Sequence, residues 1–121
     1  MSDSDPIQYE VRDGATVVTL GPHFESLYES VLPELAPLLD LAERIDPARL
    51  VIDLGNAKYV GSAFIGFVIS LSQRINERPN GRLGIANLTS FCLMALEATK
   101  ADLLLDLFDS VDEAVSELGW R

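Results

Sequence analysis

The amino-acid sequence predicts an α/β domain built on a mixed β-sheet, and three observations support this prediction. Strand-like and helix-like segments alternate along the chain, which is typical of layered folds with parallel strands. The pair Asp13-Gly14 separates two apolar runs near the start, which predicts an opening β-hairpin and hence one antiparallel pair in the sheet. The stretch from Leu50 to Leu71 joins a β-branched apolar run to a longer apolar segment, as in a buried strand that leads into a buried helix.

The opening hairpin consists of two short predicted strands. Residues 7–11 alternate apolar and polar side chains, which is typical of a strand with one buried face. Residues 15–20 read ATVVTL, a run rich in β-branched side chains, and Gly21-Pro22 then breaks this second strand. We expect the acidic residues 1–6 to form a loose, disordered tail and residues 7–121 to form one domain, because a domain usually has about 100–200 residues.

The segment after the hairpin has the pattern of a helix that contains proline. Apolar side chains recur at helical spacing from Tyr28 to Ile45. Pro33 would disrupt the interior of a helix but suits its first turn. We therefore expect a short turn at residues 25–31 and a main helix at residues 33–45, or one kinked helix.

The second half of the chain continues the alternation of strands and helices. We expect, in order, a strand at residues 50–54, a helix at 62–77, a strand at 83–86, a helix that begins after Thr89 or Ser90, and a helix at 111–118 that begins after Asp109 or Ser110. The apolar run at residues 103–105 fits either a last strand or the end of a helix. Ser62 occupies the predicted N-cap position, where its hydroxyl can accept a hydrogen bond from a free backbone N–H.

Composition and charge argue against several classes of function. The formal net charge of −10 disfavours binding to nucleic acid and to anionic membrane surfaces, because both need clustered basic residues. The start of the chain lacks the features of a signal peptide, and no apolar run approaches the ~18 residues of a membrane span. The single cysteine, Cys92, allows no internal disulfide. We therefore expect a cytoplasmic protein.

The sequence contains no strong signal of an enzyme. The only histidine, His23, lies in a Gly-Pro loop, and the chain has no nucleophile-elbow pattern. Cys92 falls on the apolar face of a predicted helix and is expected to be a small core residue. No cysteine and histidine have the spacing of metal ligands, and the glycines do not form a phosphate-binding loop followed by lysine. We expect no catalytic residue, no metal and no cofactor.

The segment GSAFIG at residues 61–66 stands at the start of the predicted helix. It resembles the Asp-Ser-Ser-Gly-Leu-Gly motif of the STAS domain, the domain of bacterial anti-sigma factor antagonists. In that family the motif follows a strand that ends in an acidic residue, and Asp53 is the corresponding residue here. Ser62 falls on the serine that partner kinases phosphorylate, and Gly66 falls on the second glycine. Three positions depart from the motif: its Asp is Gly61 here, its second Ser is Ala63 and its first Gly is Phe64.

The resemblance extends over residues 8–118. Phe24-Glu25 is similar to the Leu-Asp pair that closes the loop after the second strand in STAS domains, although Pro22 stands where that family usually has Gly. Lys100 replaces the family's Gly after the third helix, which is expected to weaken the helix stop. The implied fold is STAS-like: a mixed four- to five-stranded sheet that opens with a β-hairpin, with helices packed mainly on one face.

The resemblance implies a non-enzymatic regulatory module. Such a protein binds an anti-sigma factor, itself a kinase-like ATP-binding protein, and thereby frees a sigma factor for transcription. Phosphorylation of Ser62 would switch binding off, because the partner would have to desolvate a group with about −1.5 to −2 charge. The residues expected to contact the partner surround Ser62: Phe24, Glu25, Tyr59, Gly61, Ala63 and Phe64.

Other interpretations stay open. Because the motif is altered, the domain could be a divergent STAS scaffold that self-associates or binds another regulator without a phosphorylation switch. Asp53 could instead be a receiver-like phosphoacceptor, with Lys100 as its lysine, although the chain opens with a hairpin and lacks the acidic magnesium site of receivers. A purely structural role for Asp53 is to cap the turn after its strand. The helix at residues 62–77 has either an exposed apolar side that binds a partner or a side that neighbouring helices cover.

Overall fold

A five-stranded mixed sheet organises the fold in a computed structural model that describes residues 6–119. Its strands are β1 (Ile7–Arg12), β2 (Ala15–Leu20), β4 (Arg49–Asp53), β6 (Arg82–Ala86) and β7 (Asp106–Phe108). A second sheet pairs the short strands β3 (Ser26–Leu27) and β5 (Tyr59–Val60). The α-helices of the described residues are α1 (Pro37–Arg44), α2 (Ser62–Asn76), α3 (Ser90–Ala98) and α4 (Val111–Leu118).

The strand order of the larger sheet is β1-β2-β4-β6-β7. β1 and β2 form the predicted antiparallel hairpin, and both residues of the Asp13-Gly14 turn have positive φ. The other neighbouring strands are parallel. Ile52 of β4 is buried at the centre, with Val18 beside it on one side and Ile85 on the other. The predicted mixed sheet that opens with a hairpin is therefore confirmed.

The helices cover the two faces of the sheet unequally. α1 and α2 bury Leu38 and Leu71 in the larger core together with Ile52, and α3 contributes to the same core. α4 packs on the opposite face, where Val115 belongs to a smaller cluster with Val51. Successive residues of β4 point to opposite faces, so Val51 and Ile52 serve different cores. The prediction that the helices pack mainly on one face is confirmed.

The predicted main helix at residues 33–45 is wrong at its start. Residues Glu29–Leu35 form a 3-10 helix that contains Pro33, and α1 begins only at Pro37. Proline is tolerated in the first turn because its missing N–H has no partner there in any case. The first-turn position that we expect for Pro33 is thus occupied by Pro37, four residues later.

The prediction of a last strand at residues 103–105 is wrong, and the alternative of a helix end holds for Leu103 only. Residues Ala101–Leu103 form a short 3-10 helix, and β7 begins only at Asp106. Leu103 and Leu104 are exposed, whereas Leu105 is buried. The run thus marks a connection that contributes one leucine to the core, and the last strand follows it.

Two of the predicted N-caps are confirmed. The Thr89 hydroxyl accepts a hydrogen bond from the N–H of Cys92 at 3.4 Å at the start of α3. The Ser110 hydroxyl accepts one from the N–H of Glu113 at 3.0 Å at the start of α4. Each bond gives a partner to one of the N–H groups that the first turn of a helix leaves without one.

The predicted tail at residues 1–6 lies almost wholly outside the described residues, which begin at Pro6. The carbonyl of Pro6 accepts a hydrogen bond from the N–H of Gly21 at 2.8 Å. The predicted domain boundary therefore stays a prediction.

Candidate functional site

Ser62 is the first residue of α2, and its side chain is exposed. The N-cap is Gly61, whose carbonyl accepts a hydrogen bond from the N–H of Ile65 at 3.1 Å. The prediction that Ser62 is the N-cap is therefore wrong by one residue, because the helix begins at Ser62 itself, one residue earlier than a serine N-cap would place it. Within residues 6–119 its hydroxyl has no hydrogen-bond partner. The N–H groups of the first turn also have no partner inside the helix, which makes this end of α2 electropositive.

The small sheet fixes the backbone in front of Ser62. β3 and β5 run parallel, with Leu27 opposite Val60. The carbonyl of Leu27 also accepts a hydrogen bond from the N–H of Gly61 at 2.9 Å, so the pairing continues to the N-cap of α2. The backbone that leads into Ser62 is thus held in place by hydrogen bonds to β3, and it is not a free loop.

Lys58 and Glu25 form an ion pair in the same region. The ammonium of Lys58 lies 3.1 Å from the carboxylate of Glu25, and the backbone N–H of Lys58 donates to the Glu25 carbonyl at 2.8 Å. The side-chain hydrogen bond to Glu25 and the negative charge of that carboxylate raise the pKa of Lys58. Because both side chains are largely exposed, water screens the pair, and it contributes little to stability. Glu25 is exposed, as its predicted contact role requires, but its charge is offset by Lys58.

Two residues of the predicted contact surface are buried. Phe24 is 0% exposed and Phe64 is 3% exposed, and both belong to the main core. Their rings pack against neighbours inside the fold, for example Phe64 against Phe67 at a centroid distance of 6.4 Å. The expectation that these two side chains contact a partner is therefore corrected, because they have no surface to offer.

The outward face of the first part of α2, residues 62–70, is composed of small residues. Its exposed positions include Ser62, Ala63, Gly66 and Ser70. Its apolar side is buried in the core: Phe64, Ile65, Val68, Leu71 and Ile75. The neighbouring elements thus cover the apolar side of this helix, which decides between the two alternatives left open by its sequence. A Cβ at Gly66 would meet no atom within 4 Å, so nothing in the described fold explains this glycine.

An apolar groove of ≈ 470 Å³ lies between the loop before α2 and the helix α3. We call it the aromatic groove; its lining residues are Tyr28, Tyr59, Val60, Phe91, Met94 and Ala95. Tyr59 and Phe91 meet edge to face, with centroids 5.4 Å apart. Of this set, only Tyr59 was predicted to contact a partner. For Phe91, Met94 and Ala95 the sequence indicated only that some apolar residues of α3 are exposed, and not which ones, because α3 has more apolar residues than one buried face can hold.

The remaining candidates from the sequence have structural contacts. The carboxylate of Asp53 accepts hydrogen bonds from the N–H of Gly55 at 2.8 Å and from the amide of Asn87 at 3.1 Å, as in a turn cap. His23 lies 2.7 Å from the carboxylate of Glu34 at the surface. Cys92 is buried, as expected of a core residue. Asp53 thus has the structural role that its position at a strand end predicts.

A model of the STAS domain matches residues 6–114, which is most of the chain. The protein belongs to the STAS domain family. Among solved structures, this STAS domain is similar to an anti-sigma factor antagonist (STAS) domain protein from Planctomyces limnophilus, with a TM-score of 0.82, 23% identity, and coverage of 93% of this chain and 96% of the other. It is also similar to an anti-sigma factor antagonist from Mycobacterium paratuberculosis, with a TM-score of 0.78, 19% identity, and coverage of 93% and 92%. At these identities the likeness shows a shared fold. No curated protein matches the sequence significantly.

Two classes of feature are missing from the described part of this STAS domain. No helix within residues 6–119 combines the length and the apolar character needed to cross a bilayer. The same residues contain no cluster of three or more His, Cys, Asp or Glu side chains that could hold a metal ion. The candidate site consists of Ser62, the exposed small residues Ala63, Gly66 and Ser70 of α2, and the aromatic groove.

Proposed function

We propose that this STAS domain is a cytoplasmic anti-sigma factor antagonist that binds an anti-sigma factor with the surface around Ser62. The observation that carries the proposal is the exposed hydroxyl of Ser62, which stands at the first position of α2 without a hydrogen-bond partner in the described fold. A stable fold does not need this hydroxyl, since Gly61 is the N-cap. The motif resemblance and the shared fold with two anti-sigma factor antagonists add support.

We further propose that phosphorylation of Ser62 by a serine-kinase-like partner switches the binding off. The domain itself can accept a phosphate there, because the group would face the free N–H groups and the positive end of α2. A partner packed on Ser62 would have to desolvate about −1.5 to −2 charge. Binding should therefore fall while the fold keeps its stability.

The glycine one turn after Ser62 supports a close contact at this face. Glycine inside a helix costs roughly 0.5–1 kcal/mol relative to alanine. Gly66 brings no compensating contact, because a Cβ there would point into open space. A partner whose backbone approaches α2 closely at Ser62, Ala63 and Gly66 would explain why this position remains without a side chain.

The direct test is phosphorylation with ATP and the anti-sigma kinase from the same genome. We expect one phosphate, mapped by mass spectrometry to Ser62 and absent from Ser62→Ala. Ser70→Ala is the matched control, because Ser70 is exposed on the same helix and should leave the reaction unchanged. Phosphate on another residue, or none, would remove the switch from the proposal.

The binding test uses a charge that imitates phosphate. Ser62→Asp should weaken binding to the anti-sigma factor by tenfold or more, about 1.4 kcal/mol. Its melting temperature should not fall, because an acidic residue is favourable in the first turn of a helix. Unchanged affinity would place Ser62 outside the contact surface. Gly66→Ala should also weaken this binding if the partner approaches α2 closely.

A second candidate function is a scaffold that binds a partner without a phosphorylation switch. It is favoured by the ring of Tyr28, whose Cδ1 would be 3.0 Å from a Cβ at position 61, where the family motif has Asp. A kinase that reads this Asp would find an aromatic surface instead. Stable binding of the anti-sigma factor, together with no phosphate on Ser62 after incubation with ATP, would support the scaffold.

A further inference from the structure

The aromatic groove brings together four large apolar side chains that remain exposed. The exposed fractions are 48% for Tyr28, 41% for Tyr59, 59% for Phe91 and 62% for Met94. Single exposed apolar residues are ordinary, but a contiguous group is a common sign of an interaction site. Tyrosine, phenylalanine and methionine are also enriched at protein–protein interfaces. The composition of the groove therefore favours a protein segment as its ligand.

The charged residues next to the groove are mainly acidic. Glu29 begins the 3-10 helix beside it, and Glu97 lies one turn beyond Met94 on α3; both are exposed. Lys58 is paired with Glu25 at 3.1 Å, so its charge is offset. The chain as a whole has a net charge of −10, and a second copy would bring the same charge to the contact. This field favours a different protein whose binding segment carries Lys or Arg.

The groove is continuous with the start of α2. β5 (Tyr59–Val60) forms part of its wall, and the chain passes from there through Gly61 directly into Ser62. Tyr28, on the same wall, lies against the N-cap position. A protein that covers Ser62 therefore has the groove within the same contact area.

We propose that the aromatic groove selects the partner by binding the apolar face of an amphipathic helix with Lys or Arg at its flanks. This inference rests on the proposed function, since the helix belongs to the protein that covers Ser62. The aromatic rings and Met94 receive the apolar side chains, as in other complexes of a helix in a groove. Glu29 and Glu97 attract the basic flanks. The groove thus determines which partner binds, whereas Ser62 determines whether it binds.

The test is an NMR titration of the isotope-labelled domain with three synthetic helical peptides of equal length. One has a leucine face with lysine flanks, the second has the same face with glutamate flanks, and the third keeps the lysines but has serine in place of leucine. We expect the first peptide to shift the signals of the groove residues and to bind at least tenfold more tightly than either of the others. Its affinity should fall several-fold between about 50 mM and about 300 mM salt, because the charges are exposed.

Variants locate the contact. Phe91→Ala and Met94→Ser should each weaken the lysine-flanked peptide at least tenfold. Leu104→Ser is the matched control, since Leu104 is 64% exposed but does not line the groove, and it should leave the affinity unchanged. The proposal is overturned if no peptide causes shifts, if the lysine and glutamate flanks bind equally, or if Leu104→Ser has the same effect as the groove variants. A dimer that Met94→Ser dissociates would assign the groove to a second copy and would also overturn it.

Binding to the intact anti-sigma factor separates this inference from the switch. If Phe91→Ala weakens that binding tenfold and Ser62→Asp does not, the proposed role of the groove is supported and the proposed switch at Ser62 is overturned. If Ser62→Asp weakens that binding and Phe91→Ala does not, the proposed switch at Ser62 is supported and the proposed role of the groove is overturned.

Discussion

The ring of Tyr28 lies against Gly61, the N-cap residue of α2. A Cβ at position 61 would come within 3.0 Å of Cδ1 of Tyr28, which is tighter than most Cβ contacts in proteins. The STAS motif has Asp at this position. In this chain an aromatic ring therefore takes the space that the aspartate side chain would enter, and the absence of a side chain at position 61 fits the ring of Tyr28.

This relationship predicts that Gly61→Asp stabilises the domain only when the ring of Tyr28 is absent. Aspartate is a better N-cap than glycine by a few tenths of a kcal/mol, and its charge adds up to about 1 kcal/mol at a helix N-terminus. In the presence of Tyr28 the ring must move first, which offsets the gain. Urea denaturation of the wild type, both single variants and the double variant with Tyr28→Ala should give a coupling energy of about 0.5 kcal/mol or more. Additive effects would show that ring and position 61 do not compete.

Gly66→Ala should raise the free energy of unfolding by about 0.5–1 kcal/mol. The gain arises because alanine restricts the unfolded chain and its Cβ meets no atom within 4 Å in the folded state. The reverse change, Ala63→Gly on the same exposed face, is the control and should lower stability by a similar amount. Thermal denaturation measures both. A loss of stability in Gly66→Ala would mean that α2 is more crowded at this position than its surroundings indicate.

Features with a strong local signal were predictable from the sequence. The Asp13-Gly14 turn specifies the hairpin because both of its residues need positive φ. β4 was predictable because the middle of a central parallel strand is a continuous apolar run, and its observed bounds, Arg49–Asp53, differ from the predicted 50–54 by one residue. The final helix was predicted with its observed bounds because Ser110 caps it and two acidic residues begin it.

The site was only partly predictable, because it depends on contacts that have no periodic pattern. β3 and β5 have two residues each, too few to show alternation, yet their pairing brings Tyr28 to Gly61. Phe24 is buried in the main core, which its local sequence does not indicate. On α3, apolar residues lie on every side, so the sequence could not tell that Phe91 faces solvent.

Gly84→Ala should destabilise the domain by about 1–3 kcal/mol, because a methyl group does not fit beneath α4. A Cβ at this position of β6 would lie 2.7 Å from the ring of Phe108 and 2.8 Å from Cδ1 of Leu118. Leu118 is fully buried, so it has little room to move away. The comparison with Gly66→Ala controls for the chemistry of the substitution, since the same methyl group enters open space there. An unchanged melting temperature would show that α4 does not pack closely on β6.

α3 ends with a residue in the left-handed conformation, as helices that end at a glycine do, although the residue at this position is Lys100. Lys100 has φ 63°, in the left-handed region, and its N–H donates to the carbonyl of Glu97 at 3.1 Å. The lysine therefore keeps the shape of the stop, and the expectation that it weakens the stop stays a prediction. The remaining cost lies in the backbone, because a left-handed conformation costs an L-residue roughly 1–2 kcal/mol.

Lys100→Gly should therefore stabilise the domain, by up to about 1 kcal/mol. Glycine removes the steric cost at positive φ, but its greater conformational freedom in the unfolded chain reduces the gain in stability by about 0.5–1 kcal/mol. Lys100→Ala is the control: it removes the same charge but keeps the Cβ, so it should give no gain. Urea denaturation of the three proteins separates the two causes. Equal stabilisation by both variants would assign the effect to the charge, and a loss in Lys100→Gly would show that the lysine side chain contributes contacts that outweigh the backbone cost.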